Sequence, residues 1–166
     1  MAHVLVLGMT LSGKTMLAKS LAAEYRAAGI SVLVLDPLRD PGWHADYQTS
    51  DPEEFLNFFW GARSCAVFID EAADSVGRYD LAMQKTATRG RHWGHRVHYL
   101  SQRGTSINRT VRDQCSRLFL FASSLSDCKI HANEWNKPEL LTAPTLPSGS
   151  YMACSKFGAV THGKIF

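Results

Sequence analysis

The octet Gly8-Met-Thr-Leu-Ser-Gly13-Lys14-Thr15 constrains this chain more than any other feature, because it matches G-x-x-x-x-G-K-[ST] and joins two segments of different periodicity. Val4 to Leu7 is a short apolar run that stops at Gly8, as a strand buried on both faces of a parallel sheet does. From Lys14 to Ala28 the residues Met16, Leu17, Leu21, Ala22 and Tyr25 recur at helical spacing, and Gly29 follows as a stop. Glycines in such a turn let backbone N–H groups wrap a phosphate chain, and the helix that follows adds the positive end of its dipole. The expected contacts are Gly8, Thr10, Ser12, Gly13, Lys14, Thr15 and Met16, with Lys14 reaching the β- and γ-phosphates of ATP and the Thr15 hydroxyl ligating Mg²⁺. A glycine turn beside a surface lysine is the bland alternative, and it explains neither the full pattern nor its context.

Further strand and helix patterns follow in alternation. Ser31 to Leu35 predicts a second buried strand that ends at Asp36-Pro37. Asp51-Pro52-Glu53-Glu54 predicts a capped helix carrying Phe55, Leu56, Phe58 and Phe59. Cys65 to Ile69, Val97 to Ser101 and Leu118 to Phe121 read as further strands, with helices over Glu71 to about Thr86, Ile107 to Cys115 and Ser124 to Trp135. Tyr151 to Cys154 and Val160 to Phe166 flank a glycine-containing turn and predict a terminal β-hairpin. This is the α/β class: a mainly parallel central sheet with helices on both faces and ligands at the carboxyl ends of its strands. At 166 residues, without linker, low-complexity tract or repeat, residues 1–166 are expected to form a single domain.

Two strand tips carry candidate chemistry. Cys65-Ala-Val-Phe-Ile69 delivers the adjacent carboxylates Asp70 and Glu71 to the edge where the phosphates are expected. Asp70 suits a contact to Mg²⁺, while Glu71 suits orienting and deprotonating the attacking water. A helix-capping acid pair is the structural alternative. Val97-His-Tyr-Leu-Ser101 ends in Gln102, a neutral amide suited to the γ-phosphate or its water, provided that its strand lies between the other two. In isolation such a residue is only the start of a loop.

Taken together, Gly8 to Thr15, Asp36-Pro37, Asp70-Glu71 and Gln102-Arg103 resemble the FtsK/HerA division of RecA-like (ASCE) P-loop NTPases, over Val4 to about Phe121. In that family a glutamate directly follows the magnesium aspartate, and a glutamine ends a strand inserted between the two motif strands. The resemblance implies an ATPase that moves DNA, double-stranded and gripped by its backbone, through a homo-oligomeric ring, typically a hexamer. Chromosome translocases, conjugation coupling ATPases and the packaging ATPases of tailless, membrane-containing phages all belong to it. Because the chain begins at the first motif strand, the small packaging type is the favoured reading, with capsid or vertex proteins as docking partners. Arg89-Gly90-Arg91-His92-Trp93-Gly94 is similar to the segment from which coupling ATPases supply an arginine to a neighbouring subunit, which makes Arg91 the finger candidate and Arg89, Arg103 and Arg112 its rivals.

Bulk properties set limits on this reading. A formal net charge of +3 permits contact with nucleic acid but does not by itself mark a dedicated DNA-binding domain. Trp43, His44 and Tyr47, or Arg89 to Arg96 with Trp93, combine basic and aromatic groups suited to DNA contact, and equally to packing between subunits. Cys65, Cys115, Cys128 and Cys154 lack C-x-x-C spacing and read as free thiols of a reducing compartment. The N-terminus has no basic n-region and too short an apolar run for a signal peptide or a span, so residence in the host cytoplasm or in a virion is expected.

Three other readings compete. Asn136-Lys137-Pro138-Glu139 approximates the N-K-x-D guanine reader of GTPases, but glutamate stands for the aspartate, and Asp70-Glu71-Ala72-Ala73 lacks the glycine expected after a GTPase metal aspartate. A small-molecule P-loop kinase would share the loop but has little use for a water-activating glutamate. A non-translocating assembly factor would bind ATP only to build a ring.

Overall fold

The computed structural model describes residues 3–75 and 80–166. Its strands are β1 (His3–Leu7), β2 (Val32–Leu35), β3 (Tyr47–Thr49), β4 (Ala66–Ile69), β5 (Arg96–Ser101), β6 (Cys115–Phe121), β7 (Ser150–Ser155) and β8 (Thr161–Lys164). The helices are α1 (Lys14–Ala27), α2 (Pro52–Gly61), α3 (Ala72–Ser75), α4 (Leu81–Arg89), α5 (Arg109–Asp113) and α6 (Leu125–Trp135). All eight strands form one sheet in the order β3-β2-β4-β5-β1-β6-β7-β8. Pairing is parallel from β3 to β6 and antiparallel at β6-β7 and β7-β8, so the expected hairpin extends one edge of a parallel sheet.

Side-chain alternation sorts the strands onto two buried faces. Val4, Val6, Val32, Val34, Ala66 and Phe68 lie on the face that Leu17, Ala18 and Ala22 of α1 cover. Leu5, Leu7, Leu33, Leu35, Val67 and Ile69 lie on the other, beneath Phe55 and Phe59 of α2, Met83 of α4 and Cys128 of α6. Both faces are lined by buried apolar side chains, so the sheet is closed on each side by a packed layer.

Several expected elements have different bounds. Glu71 to Thr86 is not one helix: Asp80, with non-helical backbone (φ −98°, ψ 88°), caps α4, its carboxylate accepting from the Met83 N–H at 3.0 Å, while residues 76–79 lie outside the described residues. Helical structure over 107–115 narrows to α5, because Cys115 already pairs with β1. Strand β3 and the 3₁₀ stretch Pro138–Thr145 were not expected at all, the first being only three residues long at the sheet edge.

Candidate active site

The loop between β1 and α1 is shaped by what its glycines leave out. A Cβ on Gly8 would stand 2.6 Å from the Phe121 Cβ, and Gly13 has φ +112° with the Ile165 Cγ2 only 3.1 Å from where its Cβ would be. Both positions therefore require glycine, one for close approach and one for conformation. Gly8 N–H donates to the Ser101 carbonyl at 3.2 Å and Met9 N–H to the Ala122 carbonyl at 2.9 Å, which ties the loop to β5 and to the end of β6.

Side chains cap the starts of the other main helices: Asp51 for α2, Asp80 for α4, Asn108 for α5 and Ser124 for α6. Helix α1 has no such cap, since Gly13 precedes it. Its first-turn N–H groups are left to the loop interior, the condition under which a helix start binds an anion. Ser12 Oγ is buried there without a hydrogen-bond partner among the described residues. Lys14 is buried and Thr15 half-buried beside them.

Chain order brings the other candidates to the same edge. Asp70 follows β4 and Gln102 follows β5, and β5 lies between β4 and β1, the arrangement required for Gln102 to face the loop. The Gln102 side-chain amide donates to the Thr10 hydroxyl. Asp70 is buried, and desolvation pushes its carboxyl up to about 6, opposed by its bond from the Glu71 N–H and by the nearby Lys14 charge. That bond, at 2.9 Å to Oδ1, holds Glu71 in a left-handed conformation with φ 49°. Asp36, also at this edge, is committed elsewhere: it accepts from Leu38 N–H, Asp40 N–H and Trp43 Nε1 at 2.9, 2.9 and 3.2 Å.

Arg91 is not part of this cluster. It precedes β5 at the amino edge and donates to Gln114 Oε1 at 2.8 Å, one strand length, roughly 15 Å, from the loop. Two of its rivals are engaged within the chain. Arg103 makes a two-pronged bond to Asp127, 2.9 Å on each arm, and Arg112 reaches Glu134 at 2.7 Å. Arg89 is exposed at the end of α4. Asn136 to Glu139 follow α6, also toward the amino edge, so the would-be guanine reader stands opposite the loop.

The expected aromatic DNA contacts fare unequally. Trp43 is fully buried, 5.4 Å from the Phe68 ring, and cannot stack on a base; His44 is exposed. Tyr47 stacks on Phe58 at 3.9 Å, and Trp93 donates its Nε1–H to the Trp60 carbonyl at 3.1 Å beneath the Arg63 guanidinium.

One part of the site was not anticipated. The segment before β7 and the residues after β8 brace the loop: Ser148 Oγ donates to the Leu11 carbonyl and Gly149 N–H to the Ser12 carbonyl, each at 2.8 Å, and Ile165 N–H donates to Gly149 at 2.7 Å. Pro147-Ser148-Gly149 signals a turn, but nothing local announces a partner more than 130 residues away.

No protein-family model matches the sequence, and no curated protein matches it. Solved structures do resemble it. The DNA-packaging ATPase B204 from Sulfolobus turreted icosahedral virus superimposes with a TM-score of 0.83 at 16% identity, over 98% of this chain and 97% of that one. The genome packaging NTPase B204 of Sulfolobus turreted icosahedral virus 2, in complex with AMPPCP, gives 0.82 at 15% identity, over 98% and 96%. The pCW3 conjugation coupling protein TcpA gives 0.74 at 13% identity; this chain is covered over 98%, and that one over 59%. The chain thus has the fold of the packaging and coupling ATPases that its motifs resemble.

Proposed function

We propose that the protein hydrolyses ATP at the carboxyl edge of its sheet and couples the reaction to movement of double-stranded DNA through a ring of identical subunits, as a viral genome-packaging motor. The observation that carries this reading is the convergence of Lys14, Asp70, Glu71 and Gln102 on one edge, with β5 between the two motif strands. The likeness in fold to packaging ATPases along nearly their whole length supports the translocase over a kinase.

Each residue has a role suited to its surroundings. The loop N–H groups and the start of α1 hold the phosphates, and Lys14 balances their charge. Thr15 and Asp70 would hold Mg²⁺, which supplies charge neutralisation to the phosphate oxygens. The donors fit, because a hydroxyl and a carboxylate are the hard oxygen ligands that Mg²⁺ takes, and Asp70 is buried at the edge where the loop lies. Glu71 takes the proton from the attacking water, and Gln102 senses the terminal phosphate beside it. Arg91 serves a neighbouring subunit's nucleotide, since its own lies across the sheet. Residence in the host cytoplasm or the virion, next to capsid or vertex proteins, follows from such work; no helix among the described residues is long and apolar enough to cross a membrane.

The test is phosphate release by the purified protein as its concentration is raised, with and without linear duplex DNA. Turnover per subunit should climb with concentration as rings assemble, and again with duplex. Turnover indifferent to both, or transfer of the γ-phosphate to a nucleoside or sugar, overturns the motor reading.

A further inference from the structure

Exposed apolar side chains crowd the phosphate loop in a place where phosphates have no use for them. Leu11 is 87% exposed and Met16 54%, while Phe166, 56% exposed, faces the loop from beyond β8. All three line one cavity of about 290 Å³ whose remaining wall is the loop itself, Ser12 to Thr15.

Sheet order gives this cavity a direction. Along the carboxyl edge, β4 brings Asp70 and Glu71, β5 brings Gln102, β1 brings the loop, and β6, β7 and β8 lead on to Phe166. Every group suited to hydrolysis stands on one side of the loop, and the apolar cavity opens on the other. A nucleotide whose terminal phosphate meets Glu71 must send its nucleoside toward Phe166.

The aromatic ring is also held in place from the loop outward. Gly149 N–H binds the Ser12 carbonyl, Ile165 N–H binds the Gly149 carbonyl, and the Phe166 ring lies so close to Gly149 that a Cβ there would stand 2.9 Å from ring carbons. An exposed ring packed on Gly149 beside a phosphate site is a stacking surface for a base, because any base presents a π-face to it.

We propose that Phe166, flanked by Met16 and Leu11, is the nucleobase platform of the site, and that it reads the face of the base and not its edge. This rests on the nucleotide reading above. No carboxylate or amide side chain lines the cavity, and its polar side chains, Ser12, Lys14 and Thr15, belong to the loop that holds the phosphates, which leaves no side chain for the exocyclic groups that distinguish adenine from guanine. The site then takes ATP and GTP with similar affinity.

Calorimetric titration with MgATP, MgGTP and magnesium tripolyphosphate tests this on wild type, Phe166→Ala, Phe166→Trp and Met16→Ser. In Phe166→Ala, both nucleotides should weaken roughly tenfold while tripolyphosphate is unchanged. Phe166→Trp should keep ATP affinity and show indole quenching on binding, and Met16→Ser should repeat the alanine pattern more weakly. Unchanged ATP affinity in Phe166→Ala overturns the platform, and so does parallel weakening of tripolyphosphate, which would make Phe166 a brace for the loop. A wild-type preference for ATP over GTP of more than tenfold overturns face-only reading. Wild type that binds neither nucleotide nor tripolyphosphate removes the phosphate loop, and the platform with it, an outcome distinct from a nucleoside-specific loss.

Discussion

Glu71 shows how much, and how little, a residue's identity tells. That an acid directly follows Asp70 at a strand tip, where the proposed reaction would use it on water, was legible from the strand that precedes it; its left-handed backbone, φ 49°, was not, because nothing in Asp-Glu-Ala demands it. A β-carbon in that conformation costs on the order of 1 kcal/mol, and such strain collects where a side chain must be aimed. Glu71→Gly should therefore leave the fold as stable as wild type, or up to ~1 kcal/mol more so in a urea titration, while turnover disappears. A loss above ~1 kcal/mol would mean that the glutamate is a structural residue. Gly8 sets the opposite constraint. With the Phe121 Cβ 2.6 Å from where an alanine methyl would go, Gly8→Ala should displace the loop and abolish nucleotide binding measured by calorimetry. The glycine pattern of the loop was readable, whereas the phenylalanine that enforces it comes from a strand 113 residues later.

Between elements, the contact that most directly holds the strand tip is Arg103 to Asp127. The two-pronged bond ties the residue after Gln102 to the first turn of α6, and Asp127 is buried although the Arg103 side chain is 61% exposed. The Arg103 bond holds the Asp127 carboxyl below the ordinary range, so its contribution is present at neutral pH and lost as pH falls through the lowered value. Asp127→Asn should cost about 1–2 kcal/mol, discounted for that exposure, and should lower kcat more than it raises KM if the fork steadies Gln102. Equal stability and unchanged kcat would remove Asp127 from that role. Long buried strands and the capped α2 and α6 were legible because periodicity and cap residues are local signals. The edge strand β3 and the break before α4 were not: three residues carry no period, and Asp80 caps a helix whose apolar positions continue the preceding pattern.

Across the whole molecule, three buried histidines lock the sheet to its surroundings in the neutral state. The Nδ1 of His3 accepts from Val97 N–H and its Nε2 donates to the Ala87 carbonyl; His95 does the same between Cys65 and Phe59; His98 donates to Val67 and stacks on Phe68. Burial holds His3 at about 4 and His98 at about 3, well under 6.5. The unfolded chain then binds more protons than the folded one between about pH 4 and 6.5, so stability is full above 6.5 and falls as acid is added. For His3 alone the loss by pH 4 is on the order of 3 kcal/mol, and His3→Gln should flatten the profile of Tm against pH. Sequence patterning reads such histidines as polar interruptions of a strand, because their partners are backbone groups of other elements. At this scale also belongs Arg91, which the proposed ring would turn toward a neighbour's nucleotide: on that proposal Arg91→Ala should bind ATP normally, hydrolyse it poorly, and recover in mixtures with Glu71→Gln subunits. The proposed reaction depends on water being activated by Glu71 at a filled phosphate loop. Paired measurements of MgATP affinity and phosphate release on Glu71→Gln test that most directly: affinity within about twofold of wild type with turnover down at least ~100-fold is the predicted result, and turnover near wild type, or loss of both together, contradicts it.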